Sequence, residues 1–521
     1  MKLHPLSVPY RAVSRGLSVA STFVFLGLTL SGTGAVPELT GPFLVGAALA
    51  GVAATVAWQV AYYRRFEYEL TDEGLDIASG VVSRRHREIP LRRVQNVDIS
   101  RNVVQRALGL AALDLETAGG GETEASLRYV GYDEAKRLQR EIQRLKRDAT
   151  RSDREVGDDA EGEGESAVGE GRLADREELL FELSATELAI LSALSFDLRY
   201  LSLLAFGPVA LPAVPGLADL AVVGGVMLVG MLAVALWAIG AAVAFARYYG
   251  FRLTRIGDEL RYERGLLQRY DGSIPLEKVQ ALTVSENLPM RRFGYAALSV
   301  ETAGYAPGQS PSGGSEAAIP LATRERVFDL AREVEPFDPP EFSRPPERAR
   351  TRYVARYAIA LAALAGVLFG ARAVVGWPDQ WYLALALVPL TPVAAHLTWV
   401  NRGYDAGDRY VVTRNGFWRR STTIVAYDRV QTVIQSQSPF QRRRDLASVV
   451  VDTASSAGFG GRDATAVDLD ADDAAALREL VGQRLQDRLA ARRADRRARG
   501  RRAKGAKEDD QDEDGEPTER E

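Results

Sequence analysis

Residues 89–119 read IPLRRVQNVDISRNVVQRALGLAALDLETAG. The pattern returns as IPLEKVQALTVSENLPMRRFGYAALSVETAG over 274–304 and as VAYDRVQTVIQSQSPFQRRRDLASVVVDTAS over 425–455. The three stretches align without a gap, so that Gln95, Gln280 and Gln431 coincide, as do Thr117, Thr302 and Thr453. The interval between copies is too long for a solenoid repeat and fits a duplicated domain.

Working outward from the repeat, the residues before it alternate as strands do. Phe66–Thr71 and Leu75–Ser79 flank a turn at Asp72–Gly74. The second copy repeats this as FRLTRIGDELRYERG from Phe251, and the third as RYVVTRNGFWRR from Arg409, with Asn415-Gly416 as its hairpin turn. After the repeat come strands and then an amphipathic helix, over Tyr132–Arg147, Thr323–Val334 and Ala471–Leu489. The expectation is about seven strands and one closing helix per copy, in a small sheet curled to protect its edges.

Ahead of each copy lies a pair of uncharged stretches: Gly16–Pro37 with Leu39–Tyr63, Tyr200–Ala218 with Leu220–Ala246, and Tyr357–Ala371 with Gln380–Asn401. A bilayer core needs about 20 apolar residues of helix, so these read as transmembrane hairpins; the rival reading is buried helices of a soluble core. Lys2, Arg11, Arg15, Arg64, Arg65, Arg247, Arg252, Arg348, Arg352, Arg356 and Arg402 flank the pairs, while the connecting corners carry almost no bases. By the positive-inside rule both termini and all three domains face the cytoplasm of a multi-pass plasma-membrane protein. A related run-in precedes each pair (LHPLSVPYRAVSRG, LFELSATELAILSA and PPERARTRYVARYA), and Ser184 with Glu187 forms a capping-box pattern in the second.

Composition narrows the chemistry. The chain has no Cys and only three His, His4, His86 and His396, in separate segments. Thiol catalysis, disulfides and His-rich metal sites are thereby excluded. No phosphate loop, dinucleotide fingerprint or nucleophile elbow appears, so no catalytic residue, cofactor or metal is assigned. The acidic stretch 148–178 and the charged tail 491–521 read as disordered, and nucleic acid is not an expected partner because no aromatic residue interleaves with the tail's Arg.

The order of hairpin, strands, Ile-Pro-Leu-x-x-Val-Gln, basic turn with Gly, Glu-Thr strand and terminal helix resembles the bacterial pleckstrin-homology-like, membrane-flanked family (YdbS-like proteins). The matching residues are Ile89, Pro90, Leu91, Val94, Gln95, Gly109 and Thr117 in copy one, and Ile274, Pro275, Leu276, Val279, Gln280, Gly294 and Thr302 in copy two. The resemblance implies a PH-like split β-barrel capped by a C-terminal helix, and supplies no catalytic activity. Copy three departs from it at Ala426, Tyr427 and Asp445.

The expected architecture is six transmembrane helices in three pairs, each pair followed by a PH-like split β-barrel with a C-terminal capping helix. Its segments are hairpin 14–64, domain 65–147, linker 148–178, interfacial helix and hairpin 184–247, domain 248–335, Pro-rich linker 336–350, hairpin 352–402, domain 403–490 and tail 491–521. Basic residues near the same strands and turn (Arg84, Arg85, Arg87, Arg92, Arg93, Arg291, Arg292, Arg442, Arg443, Arg444) form the candidate interaction or headgroup surface. The recurrent Gln95, Thr117, Gln280, Thr302, Gln431 and Thr453 read as structural. A non-enzymatic scaffold contacting membrane lipids, further copies of itself or another membrane protein is the leading reading. An envelope-stress or lipid-handling component that protects against membrane-active compounds is the alternative.

Overall fold

The computed structural model describes residues 1–32, 40–72, 74–91, 94–117, 125–155, 177–194, 223–302, 316–375, 381–454 and 464–513. The third uncharged stretch, 200–218, lies outside them, as do Arg92 and Arg93.

Copy one comprises helices α1 (Ser7–Gly32) and α2 (Thr40–Arg65), then β1 (Glu67–Leu70), β2 (Gly74–Ser79), β3 (Arg85–Pro90) and β4 (Val94–Asn102). Short helix α3 (Val103–Ala107), β5 (Leu110–Thr117), β6 (Ala125–Gly131) and α4 (Tyr132–Glu155) complete it. Copy two follows with β7 (Glu178–Glu182), α5 (Ala185–Leu194), α6 (Val223–Tyr248), β8 (Arg252–Ile256), β9 (Glu259–Arg264) and β10 (Gln268–Pro275). Its second half is β11 (Val279–Asn287), α7 (Leu288–Phe293), β12 (Tyr295–Thr302), β13 (Glu316–Thr323) and α8 (Arg324–Val334). Copy three has α9 (Arg348–Val375), a 3-10 segment (Trp381–Leu390), α10 (Thr391–Val400), β14 (Gly403–Ala406), β15 (Tyr410–Asn415) and β16 (Arg419–Ala426). It ends with β17 (Val430–Ser436), α11 (Pro439–Arg442), β18 (Leu446–Thr453), β19 (Ala464–Asp470) and α12 (Ala471–Glu513).

Each copy proper thus carries six strands as two antiparallel three-stranded runs, one fewer than the sequence suggested. In copy three the first hairpin is β14–β15, pairing Gly403 with Arg414, and Asn415-Gly416 closes the second hairpin instead. The four-residue β14 is too short to show alternation, which is why sequence pattern missed it. Two helix boundaries also differ. Helix α12 continues to Glu513 through most of the segment read as a disordered tail, and α4 takes the first residues of the linker. The extension of α12 is rich in Arg and Ala, residues of high helix propensity.

The molecule divides into two compact units that cut across the repeat. Residues Arg261–Ser273 of copy two join Met1–Gly162, and the remainder forms the second unit. In the first unit β10 pairs antiparallel with β4, Gln268 opposite Asn102 and Asp271 opposite Ile99. Lys136 on α4 meets Asp271 at 3.0 Å, and Gln143 accepts from Arg261 at 2.7 Å. In the second unit β16 pairs with β11, Arg419 opposite Asn287 and Ile424 opposite Leu282.

Cores explain why the two strand runs and the helix of a copy stay together. Leu75, Ile89, Ile99, Leu113, Leu127, Leu138 and Ile142 are fully buried in one cluster of the first unit. Val411, Val425, Tyr427, Val449, Ala466, Leu477 and Val481 do the same for copy three. Each sheet alternates inward and outward residues, and the helix closes the open end.

The three departures of copy three are accommodated. Asp445 sits at φ 50, where Gly109 and Gly294 adopt φ 67 and 75. Asp tolerates this left-handed region better than most residues, and a Cβ at either glycine would meet nothing within 4 Å. Ala426 takes the proline position with its backbone extended before the 3-10 turn Tyr427–Arg429, as Pro275 does before Leu276–Lys278. Tyr427 fills the leucine position and donates its hydroxyl to the Gly407 carbonyl at 2.9 Å.

Burial pushes the Tyr427 phenol up to about 12; Arg484 opposes the rise and Asp405 and Asp408 add to it. The folded state therefore keeps a proton that the unfolded chain loses near its ordinary value of about 10. This contribution to stability is complete below pH ~10 and disappears as pH climbs to ~12, a swing of about 2–3 kcal/mol. Tyr427→Phe is expected to remove that share of alkaline destabilisation, read as denaturation midpoints of the full chain on either side of the window.

Among the described residues two helical stretches are long and apolar enough to cross a membrane, Gly230–Tyr248 and Arg348–Val374, and only 11% and 6% of their apolar windows are covered by protein. Met231, Val234, Ile359, Val367 and Phe369 all face outward. Apolar helices that pack against so little protein are not the core of a soluble domain. The sixth stretch is a 3-10 segment followed by α10, because Pro389 and Pro392 interrupt the helical hydrogen-bond ladder.

Candidate functional site

The second unit holds two nearly inaccessible carboxylates, each gripped by arginines at the foot of the α9–α10 hairpin. The first is Asp468. Ala464 and Ala466 of β19 face the core, and a β-bulge between Ala466 (opposite Val449) and Leu469 (opposite Ala447) turns Asp468 into a buried position of its own, at φ 61. Asp468 is 0% exposed. It pairs with Arg352 on α9 and with Arg402, just beyond α10, at 3.1 Å. Gln441 adds a hydrogen bond at 2.7 Å. Tyr353, Ala349, Ala395 and Leu446 pack beside it, and the Arg402 guanidinium lies 4.6 Å above the Tyr353 ring. This fastens domain three to its hairpin.

The first unit makes the same joint without charge. Tyr129 occupies the position of Asp468 in copy one, and both have positive φ, 73 and 61. Tyr10, at the place of Arg352 in the run-in, lies 5.1 Å from the Tyr129 ring. Arg11 sits over Tyr62 at 4.5 Å and over Tyr129 at 4.9 Å, while Asn102 donates to the Tyr10 hydroxyl at 2.8 Å. Aromatic and cation–π contacts thus replace an ion pair.

The second carboxylate is Glu286, 2% exposed at the end of β11. Arg420 approaches it at 2.7 Å and Arg324 at 3.6 Å. Arg414 lies 4.0 Å above the Phe342 ring. Its guanidinium is pushed down to about 10, first by burial and then by crowding from Arg420, Arg344 and Arg324, which Glu286 only partly relieves. Burial and the nearby Arg420 also lower Arg291. Arg291 donates to the Asn401 side chain and to the Phe417 carbonyl, both at 2.6 Å. Beside them Trp399, at the end of α10, has Arg344 and Arg350 over its ring at 5.6 and 5.5 Å. Four guanidinium groups, Arg420, Arg324, Arg414 and Arg291, therefore gather around one carboxylate next to the hairpin's end. Such an excess of fixed positive charge attracts oxyanions, and Arg is the side chain best shaped to hold them.

The basic residues flagged in sequence are thus divided among several roles. Arg84, Arg85 and Arg87 are exposed on and beside β3. Arg292, Arg442 and Arg443 are exposed, whereas Arg291 is engaged as above and Arg444 donates to Thr351. Gln280 and Gln431 are the extra residues of β-bulges, opposite which Val279 pairs with Thr302 and Val430 with Thr453. The same register shift falls at Gln95, with Val94 opposite Thr117. The cavity beside Gln280, lined also by Val279, Glu335, Tyr410 and Arg429, has room for about one water. No group of three or more His, Asp or Glu converges among the described residues.

Sequence reading missed Asp468, Glu286, Arg324, Arg414 and Arg420. It also missed a recurrent tip between the second and third strands: Gly80-Val81-Val82, Gly265-Leu266-Leu267 and Gly416-Phe417-Trp418. The glycines have φ 113, 108 and 96, and a Cβ on each would run into the carbonyl of the residue three on. Val82, Leu267 and Trp418 stand exposed at 84%, 60% and 58%. The visible signal was the repeated Gly before two apolar residues.

Comparison with known proteins accords with this geometry. The model of the Bacterial PH domain family matches residues 21–146, 207–337 and 357–485, each time including helical sequence ahead of the strands. The UPF0699 transmembrane protein YdbT of Bacillus subtilis (strain 168) is 26% identical over 449 residues, covering 81% of this chain and 85% of that protein. No solved structure matches. A transmembrane relative and two uncovered apolar helices mark a membrane protein. With three tandem matches over most of its length, the chain belongs to the Bacterial PH domain family.

Proposed function

We propose that this is a non-enzymatic, six-span plasma-membrane scaffold whose three cytoplasmic PH-like domains hold anionic lipid headgroups at the membrane surface. The observation that carries the reading is the surplus of arginine around Glu286, directly beside Asn401 at the end of the hairpin. Supporting it, Trp399 under Arg344 and Arg350 is the amphipathic anchor expected at a membrane–water interface. The exposed Trp418 lies next to Phe417, whose carbonyl is tied through Arg291 to Asn401. The exposed Arg84, Arg85, Arg87, Arg292, Arg442 and Arg443 add diffuse attraction that decays over about 8–10 Å in salt.

The test is native mass spectrometry of the detergent-purified full chain with phosphatidylglycerol or phosphatidylcholine. Phosphatidylglycerol is expected to bind preferentially, and less so in salt. Arg324→Gln with Arg344→Gln removes two accessible cations without taking the closest partner from Glu286. At about 1 kcal/mol per base, the pair is expected to weaken binding about 30-fold. Equal binding of the two lipids by the unaltered protein would refute the reading.

A further inference from the structure

The chain contains two junctions of one kind, and both halves of a third that are not joined within it. In each internal junction the third strand of one copy adds to the fourth strand of the copy before. Gln268 of β10 faces Asn102 of β4, and Arg419 of β16 faces Asn287 of β11. Aligned on the repeated Gln, the two junctions have the same register: Asp271 opposite Ile99 corresponds to Thr422 opposite Val284. The same arginine also reaches across each. Arg106 of α3 donates to the Leu266 carbonyl, and its counterpart Arg291 of α7 donates to the Phe417 carbonyl at 2.6 Å.

Among the described residues β3 ends the sheet β1-β2-β3, and β17 ends the sheet β17-β18-β19. Their exposure shows the missing neighbour. β11 is buried along almost its whole length, while in β17 Gln431, Thr432, Ile434 and Ser436 are exposed, Ile434 at 48%. Arg85 through Glu88 of β3 are exposed, whereas the second half of β16 is buried. Arg442, the third member of the series, is exposed, and its guanidinium donates to nothing among the described residues. Its expected acceptor by analogy is the Val81 carbonyl, which receives Arg65 and has a second lone pair free.

We propose that copies of this chain associate head to tail, β3 of one adding antiparallel to β17 of the next in the register of the internal junctions. Arg85 then faces Ser436, His86 faces Gln435 and Arg87 faces Ile434. The residues from Val430 to Ser438 carry no charge, so Arg85 and Arg87 of β3 meet no like charge there, and the same arginines oppose pairing of β3 with itself. Unpaired edges are commonly protected by charge; β17, uncharged and partly apolar, has the character of an edge that is covered. Because the two surfaces differ, the contact is heterologous and generates rings or filaments rather than a closed twofold dimer. The proposal stands on strand geometry and is independent of the lipid reading.

The absence of Cys makes the test direct. Full-length chains carrying Arg87→Cys and Ile434→Cys on different tags are co-expressed and oxidised in their own membranes. Paired residues of antiparallel strands have Cα atoms about 4.5–5.5 Å apart, within disulfide reach. The equivalent internal pair, Thr283→Cys with Thr423→Cys, calibrates the yield within one chain, since Thr283 and Thr423 are already opposite. The expected product is a species bearing both tags, a ladder of multiples from the Arg87→Cys/Ile434→Cys double variant, and a several-fold lower yield on adding Arg442→Ala. Three outcomes would overturn the proposal: no mixed-tag species, cross-linking of Ile434→Cys only to itself, or a double variant that closes solely within one chain.

Discussion

Asp468→Asn is expected to loosen domain three from its hairpin at a cost of about 3–5 kcal/mol, the range for breaking a buried ion pair from one side. The substitution keeps the shape and tolerates the φ of 61, so backbone strain does not confound it. It leaves Arg352 and Arg402 facing a neutral amide in a site with no exposure, and removes the strongest acceptor from Gln441. Hydrogen exchange on the full chain in micelles reads the effect locally, as lost protection in β19 and β18 with the first unit unchanged. A loss of protection smaller than that of a surface substitution would show that α9 and α10 are held by apolar packing alone. Asp468→Leu leaves both arginines facing an apolar side chain and loses the tolerance of Asp and Asn for a left-handed backbone position, and is expected to be worse still.

The second large effect is expected at Glu286→Gln. Glu286 is the acid that faces Arg324, Arg414, Arg420 and Arg291. Neutralising it leaves their repulsion uncompensated in a buried setting, again about 3–5 kcal/mol. Here the loss has a distinctive remedy, because a multivalent oxyanion can replace the carboxylate. Phosphate is expected to restore the thermal midpoint of Glu286→Gln far more than that of the unaltered protein, whereas chloride at equal ionic strength does little. Restoration by both salts alike would mean screening rather than a seated anion.

These two positions show what the sequence discloses and what it hides. The repeat revealed the copies, the terminal helices and the alignment of the paired Val–Thr positions, because a β-bulge at Gln needs a fixed residue spacing. Arg352 and Arg402 were noticed only as bases flanking a hydrophobic span; that they share one acid could not be seen without knowing that β19 comes back to the hairpin. Asp468 itself was hidden, because a bulge in β19 takes it out of the alternation that Ala464 and Ala466 begin and Leu469 resumes. The exchange of strands between copies was not legible. Strand β10 would satisfy its backbone groups equally against its own copy or its neighbour, and hydrogen bonds between main chains leave no mark in side-chain pattern. The helical reach of α12 was underestimated because composition rich in charge was equated with disorder, although Ala, Arg and Glu are also strong helix formers.

The most direct measurement of the central claim is the depth of residue 418 relative to the lipid phosphates. A spin label on Trp418→Cys is unique in this chain, which has no other Cys. In nanodiscs holding the full protein, collision with oxygen and with a water-soluble nickel complex reports whether the label lies among headgroups or in open water. The account predicts a label within the headgroup layer, drawn closer when phosphatidylglycerol replaces phosphatidylcholine, with that shift lost in Arg324→Gln/Arg344→Gln. A label fully accessible to the nickel complex and indifferent to lipid charge would contradict the account.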